Sequence, residues 1–300
     1  MNTPPTPEDR LWTILAHLSA LALGVGIVLP VVGWSDQRRK SKYAAFQSLQ
    51  ALGYQSLGYT IWILFSAIAA ILFIITILAN LNTIEGNGGN TDTFVSLWAS
   101  LLTGLTFGLV GMYCLLPILA AVACALGKDF RYPILGDRLA RYVGYDPTEK
   151  SEAQLWLDED HEFRWVAAMG HFSILVLFWG MLAPLTTWIL YGKRSFFLKF
   201  QSIQTLLYQA IATLMFFGGA LISSLGLVLF PIAVLANSSD LSSSTGIVAV
   251  VIFIALMLIS VVILLIVPLF HILGQWAGYR VLKGEDYRYP LIGKFIEKRL

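Results

Sequence analysis

Lys42 and Glu85 enclose 42 residues without one Asp, Glu, Lys or Arg. Further charge-free runs lie between Asp92 and Lys128, Lys199 and Asp240, and Asp240 and Arg280. Each exceeds the roughly 20 apolar residues that a bilayer-spanning helix needs. In lipid the backbone must satisfy its own hydrogen bonds, so such runs are helices. Four full spans are expected within 44–80, 93–127, 198–236 and 246–282. Only 13% of the 300 residues are charged and 57% are hydrophobic, against an ordinary charged share of about 25%. That balance excludes a disordered chain, a nucleic-acid binder and almost any soluble enzyme. The fold class expected is an all-α integral membrane protein.

The chain repeats itself. Arg10–Gln55 and Arg164–Gln209, offset by 154, share sixteen of 46 residues without a gap. His17/His171, Ser19/Ser173, Gly26/Gly180, Pro30/Pro184, Trp34/Trp188 and Ser41/Ser195 are among them. Gln47, Gln50 and Tyr54 recur as Gln201, Gln204 and Tyr208. A second block, GKDFRYPILG at 127–136, returns as GEDYRYPLIG at 284–293, now offset by 157. Polar residues are scarce here, yet they are the ones that match. The division expected is 1–144 for one membrane repeat, 145–163 for an acidic solvated linker, and 164–300 for a second repeat.

Leu11–Trp34 admits two forms. It is one span of about 36 Å, or a short re-entrant hairpin turning at Gly24-Val25-Gly26 and resuming near Pro30. Single spans would invert the second half; hairpins leave the halves parallel. All twenty Lys and Arg lie at 1–10, 35–42, 128–164, 193–199 and 280–300, and none at 81–92 or 236–245. Hairpins put all twenty on one face, whereas single spans split them evenly. Because cytoplasmic loops are rich in Lys and Arg, the hairpin form is preferred, in a bacterial-type inner membrane with both termini cytoplasmic. No convincing signal peptide opens the chain. Cys114 and Cys124, about 15 Å apart along one helix, are too distant for a disulfide.

At about 100° per residue, Gln47, Gln50 and Tyr54 share one helix face, as do Gln201, Gln204 and Tyr208. Each stripe either braces the broken backbone of the neighbouring hairpin or lines a cytoplasmic groove for a client. His17, Ser19, His171 and Ser173 share either role. His17, His171 and His271 are also the histidines placed to ligate a pigment or haem, although none sits in a spaced metal motif. Trp34, Trp188, Arg131, Tyr132, Arg288 and Tyr289 read as interfacial anchors, with amphipathic helices after the Arg-Tyr-Pro blocks resting on the lipid surface. Ser41 and Ser195 are placed to cap the long helices.

No Asp, Glu, Lys or Arg lies in the charge-free body of a main span, which argues against an ion-driven carrier. No phosphate loop, serine-hydrolase elbow or zinc spacing occurs. No enzyme and no cofactor are expected; lipid and other membrane subunits are the partners.

His17-Leu18-Ser19, Pro30, Trp34, Phe46, Gln47, Gln50 and Arg131-Tyr132-Pro133, repeated from His171 to Pro290, resemble a bacterial family of unknown function. That family is related to the twenty-kilodalton subunit of the chloroplast inner-envelope translocon. This chain departs from it in being duplicated and in carrying Phe130 and Phe172. The resemblance implies a helical membrane fold, a part in moving or assembling proteins, and no catalytic residues. Three functions remain: a non-catalytic scaffold or accessory subunit of a membrane complex, a translocon-like or insertase-like conduit, and a pigment- or haem-binding electron-transfer subunit.

Overall fold

The computed structural model describes residues 4–79, 90–147, 156–236 and 243–300. Among the described residues, ten α-helices fall into two sets. The first holds α1 (Pro7–Leu18), α2 (Val28–Gln37), α3 (Lys42–Ala79), α4 (Asn90–Ala125) and α5 (Leu135–Val143). The second holds α6 (Glu159–Phe172), α7 (Leu182–Tyr191), α8 (Phe196–Ala236), α9 (Ser244–Leu282) and α10 (Ile292–Glu297). No strand occurs among the described residues. The charged residues Glu85, Asp240, Glu149 and Glu152 and the glycine-rich stretch 86–89 lie outside them.

Thr6 and Asp9 form a reciprocal capping box at the start of α1, and Asp158 accepts from the His161 amide to cap α6. Between α1 and α2 the chain runs through a 3₁₀ segment, Ser19–Ile27, broken at Leu23 (φ 52°, ψ −138°). The break lies one residue before the glycines expected to turn. Gly26 has a different task. A Cβ there would stand 1.7 Å from the Ser19 carbonyl oxygen, and one on Gly180 would stand 2.0 Å from that of Ser173. Only a bare backbone permits this approach. The fold-back is complete, because Gln37 Nε2 at the end of α2 donates to Glu8 Oε1 at the start of α1 (3.3 Å).

The long helices have 38, 36, 41 and 39 residues, about 54–62 Å each. Ser41 and Ser195 cap α3 and α8 by accepting from the Ala44 and Leu198 amides. The outer stretches of α8 and α9 pack tightly: Ser260 donates to the Gly219 carbonyl (2.9 Å) and Phe230 stacks on Phe253 (4.5 Å). Those of α3 and α4 meet more sparsely, with Phe73 edge-on to Trp98 (5.6 Å). Gly104, Gly108 and Gly111 of α4 meet nothing within 4 Å, and an apolar cleft of about 370 Å³ opens by Tyr59, Met112 and Leu116.

The main core lies between the repeats. Trp165 of α6 lays its ring against Gly53 and donates to the Leu49 carbonyl (3.0 Å). Trp34 stacks on Tyr191 (4.8 Å) and donates to Glu162 Oε1 (3.0 Å). Arg38 meets Glu162 at 2.7 Å, both nearly fully buried.

Several surface expectations are corrected here. Trp34 is no interfacial anchor: it is 0% exposed because α6 and α7 cover it, whereas Trp188 is 41% exposed. Tyr132 and Tyr289 are buried by the tyrosine stacks described below, so their rings are not presented to the surroundings. Leu139 and Val143 of α5 enter the inter-repeat core, so that helix turns its apolar face to the core and not outward. The acidic segment is not solvated to residue 163, because α6 starts at Glu159 and Glu162 is buried.

Candidate functional site

One side-chain network recurs in each repeat. In the first, Tyr132 donates from its hydroxyl to His17 Nδ1 (3.1 Å), while His17 Nε2 meets Gln47 Oε1 (3.0 Å). An amide oxygen accepts only, so Nε2 carries the proton and Nδ1 receives one. Gln47 Nε2 donates to Asp129 Oδ1 and to the Phe130 carbonyl, both at 2.9 Å. Gln50 Nε2 donates to Gln47 Oε1 and to Phe130 O, both at 3.0 Å, and Gln50 Oε1 accepts from the Tyr132 amide (2.8 Å). Tyr54 stacks on Tyr132 at 4.2 Å, and its hydroxyl donates to the Tyr113 carbonyl (2.9 Å).

The second network repeats the first bond for bond. His171 accepts from Tyr289 (2.9 Å) and donates to Gln201 Oε1 (3.0 Å). Gln201 Nε2 donates to Asp286 Oδ1 (2.8 Å), Gln204 Nε2 to the Tyr287 carbonyl (2.8 Å), and the Tyr289 amide to Gln204 Oε1 (3.2 Å). Tyr208 stacks on Tyr289 at 3.8 Å and donates to the Phe270 carbonyl (3.0 Å). Thr205, where the first repeat has Ala51, adds a hydroxyl 3.0 Å from His171 Nδ1.

Deeper in each hairpin, Gln55 Nε2 donates to Ser19 Oγ (2.9 Å), and Gln209 Nε2 donates to the Gly170 carbonyl (2.8 Å). Ser19 and Ser173 donate back to the carbonyls of Ala16 and Gly170. These bonds satisfy backbone acceptors that the helix breaks expose.

The glutamines, serines and first two histidines of the sequence reading are thus brought together twice. Gln47, Gln50, Gln201, Gln204, His17 and His171 are 0% exposed. The glutamines of the stripe therefore face the hairpin and the Arg-Tyr-Pro segment as a closed bracket, while Tyr54 at its edge lines the apolar cleft beside Tyr59. Both ring nitrogens of His17 and His171 are engaged within the chain, so neither offers a lone pair to a metal; His271, on α9, joins neither bracket. Among the described residues no three His, Cys, Asp or Glu side chains gather as a metal group. Arg131 pairs with Asp129 and Asp137, and Arg288 with Asp286 and Glu297. These arginines clamp the terminal segment from outside.

Asp129 and Asp286 were missed as members, although both stand in the repeated block. Burial pushes the Asp129 carboxyl above its ordinary range, against the pull of Arg131 and the bonds from Tyr145 and Gln47. Burial likewise raises Glu162, against Arg38 and Trp34. Glu162, Arg38 and Trp165 carried no sequence signal, since their partners belong to the other repeat.

Helices α3, α4, α8 and α9, and the folded run Pro7–Gln37, are long and apolar enough to cross a membrane. The fold and its two brackets fit an all-α membrane protein. The chain belongs to the magnetosome magnetite crystal formation protein family (MamF_MmsF), whose model matches residues 8–139 and again 162–296. These two matches coincide with the two halves of the internal repeat. The match carries no relation to the chloroplast translocon subunit. No curated protein and no solved structure matches the chain.

Proposed function

We propose that this chain is a non-catalytic scaffold, or accessory subunit, of a membrane assembly. On its family's description, that assembly serves magnetite crystal formation at a magnetosome. The observation that carries this reading is the closure of both brackets. The recurring polar side chains are spent on holding hairpin, long helix and terminal segment together, and what faces outward is mostly apolar or ion-paired. A catalyst or conduit needs polar groups directed at something outside the fold.

In this reading each half dips into the lipid from the cytoplasmic side, withdraws, and crosses twice. All Lys and Arg then stay on the cytoplasmic face of an inner membrane or of a compartment derived from it. The neighbouring protein subunits and lipid are its partners. Two measurements test it. Native purification in mild detergent should retain other membrane proteins at fixed ratio, and purification of the chain alone would sink the scaffold. Cysteines placed at Lys193 and Arg299 should be shielded from impermeant reagents applied outside the cell, and labelling there would overturn the parallel topology.

A further inference from the structure

Two surfaces at opposite ends of this molecule are the separated halves of an interface that exists inside it. In the interior interface, α6 of the second repeat lies on Trp34, Leu49, Leu52 and Gly53 of the first, with α5 at its side. The contact is heterologous: the trailing face of one repeat receives the leading face of the next. Contacts of that kind are not used up by one pairing and propagate where both faces remain free.

Both remain free. The leading face of the first repeat carries Leu11, Leu15, Leu18 and Leu21, all exposed, where the second has the buried Trp165, Met169, Phe172 and Leu175. Leu11 is 55% exposed against 6% for Trp165. The trailing face of the second repeat carries the exposed Trp188 and Leu300 where the first has the buried Trp34 and Val143. There an open apolar groove of about 430 Å³ is lined by Met181, Trp188, Leu206, Leu207, Phe295 and Leu300.

The sizes at the centre of the two faces are exchanged in step. Inside the chain a large Trp165 ring sits over Gly53, which has no side chain; a Cβ on Gly53 would come within 2.6 Å of the ring. At the free faces the equivalent positions are Leu11 and Leu207. A smaller knob faces a partly filled hole, so the size changes on the two faces run in opposite directions. The polar mark is kept as well. Trp34 donates to Glu162 inside the chain, and Trp188 and Glu8 hold the same two positions at the free ends. Arg38 is replaced by Gly192, so the buried ion pair is not reproduced and the outer contact is the weaker one.

We propose that copies of this chain join head to tail, α1 of one copy docking in the groove beside Trp188 and Leu207 of the next. The inference rests on the scaffold reading and names a second copy as one occupant of its surface. The test uses the full chain in native membranes with Cys114 and Cys124 replaced by Ala. One tagged form carries Leu11→Cys and another Leu207→Cys, and a short bismaleimide links them. The expected result is a linked pair only when both forms are present, and a ladder when one chain carries both cysteines. Links within either single form at equal yield, or no links at all, overturn the proposal. Leu11→Trp should cut the dimer yield at least tenfold, and adding Leu207→Gly should restore it; failure to restore, with both proteins monodisperse and helical, also overturns it. Other proteins co-purifying while copies stay unlinked would leave the scaffold standing and remove this inference alone.

Discussion

The Tyr132 hydroxyl donates to His17 Nδ1 at 3.1 Å, and 157 residues further on Tyr289 donates to His171, 154 residues after His17, at 2.9 Å. The three extra residues of the second half are absorbed between the hairpin and the Arg-Tyr-Pro block without disturbing the bond. Tyr132→Phe keeps the ring stack on Tyr54 but leaves a buried imidazole nitrogen unpaired. It should cost about 1–3 kcal/mol, read as a lower thermal midpoint in detergent. Tyr289→Phe should cost less, because Thr205 stands within reach of the same nitrogen. Equal losses would contradict the bracket as described.

Gly26→Ala and Gly180→Ala should each open a hairpin. The added methyl has no room beside the Ser19 or Ser173 carbonyl, and overpacking of this kind costs about 3 kcal/mol or more where backbone must move. Loss of monodispersity on size-exclusion chromatography is the expected sign. Gly104→Ala, facing open space on α4, should be tolerated.

Glu162→Ala removes the buried carboxylate from Arg38 and leaves only the half-exposed Glu159 beside it (3.3 Å); it should destabilise by about 3 kcal/mol. Removing both, as Arg38→Ala with Glu162→Ala, should cost less than the single change. A double-mutant cycle on unfolding midpoints checks this, and strict additivity would refute the coupling.

Asp129 gives a pH dependence of definite sign. Its folded carboxyl holds a proton more tightly than the ordinary value of 3.8 allows, because burial penalises the charge. The native state is therefore favoured below that value. The advantage fades as pH climbs from 3.8 to the raised value and is gone above it. Asp129→Asn keeps an acceptor for Gln47 and Tyr145 and removes the titration. The difference in stability, wild type minus variant, should fall with rising pH across that window and then level off; a flat difference would refute it.

The long helices were legible because nothing but lipid tolerates such charge-free lengths. The fold-back of Leu11–Trp34 was one of two forms the sequence allowed, and the contact of Gln37 with Glu8 shows the chain turning back there. The brackets were half legible. Repetition marked His17, Gln47 and Gln50, but whether they faced inward depended on Phe130 and Tyr132, some 80 residues away in sequence. Trp34 and Trp188 were not separable at all. Their local sequences repeat, and only the arrival of α6 buries one and leaves the other exposed. The same is true of Glu162, whose charge looked like linker until Arg38 was placed beside it.

Each bracket joins the first helix of its half to the last segment of that half. On a ribosome, His17 therefore emerges more than a hundred residues before Tyr132 exists to meet it. The imidazole must wait for its clasp, although Ser19 and Gln55, made much earlier, can already brace the break of the hairpin. A chain truncated before residue 132 would leave the first hairpin without its clasp, and one truncated before residue 289 would leave only the second undone.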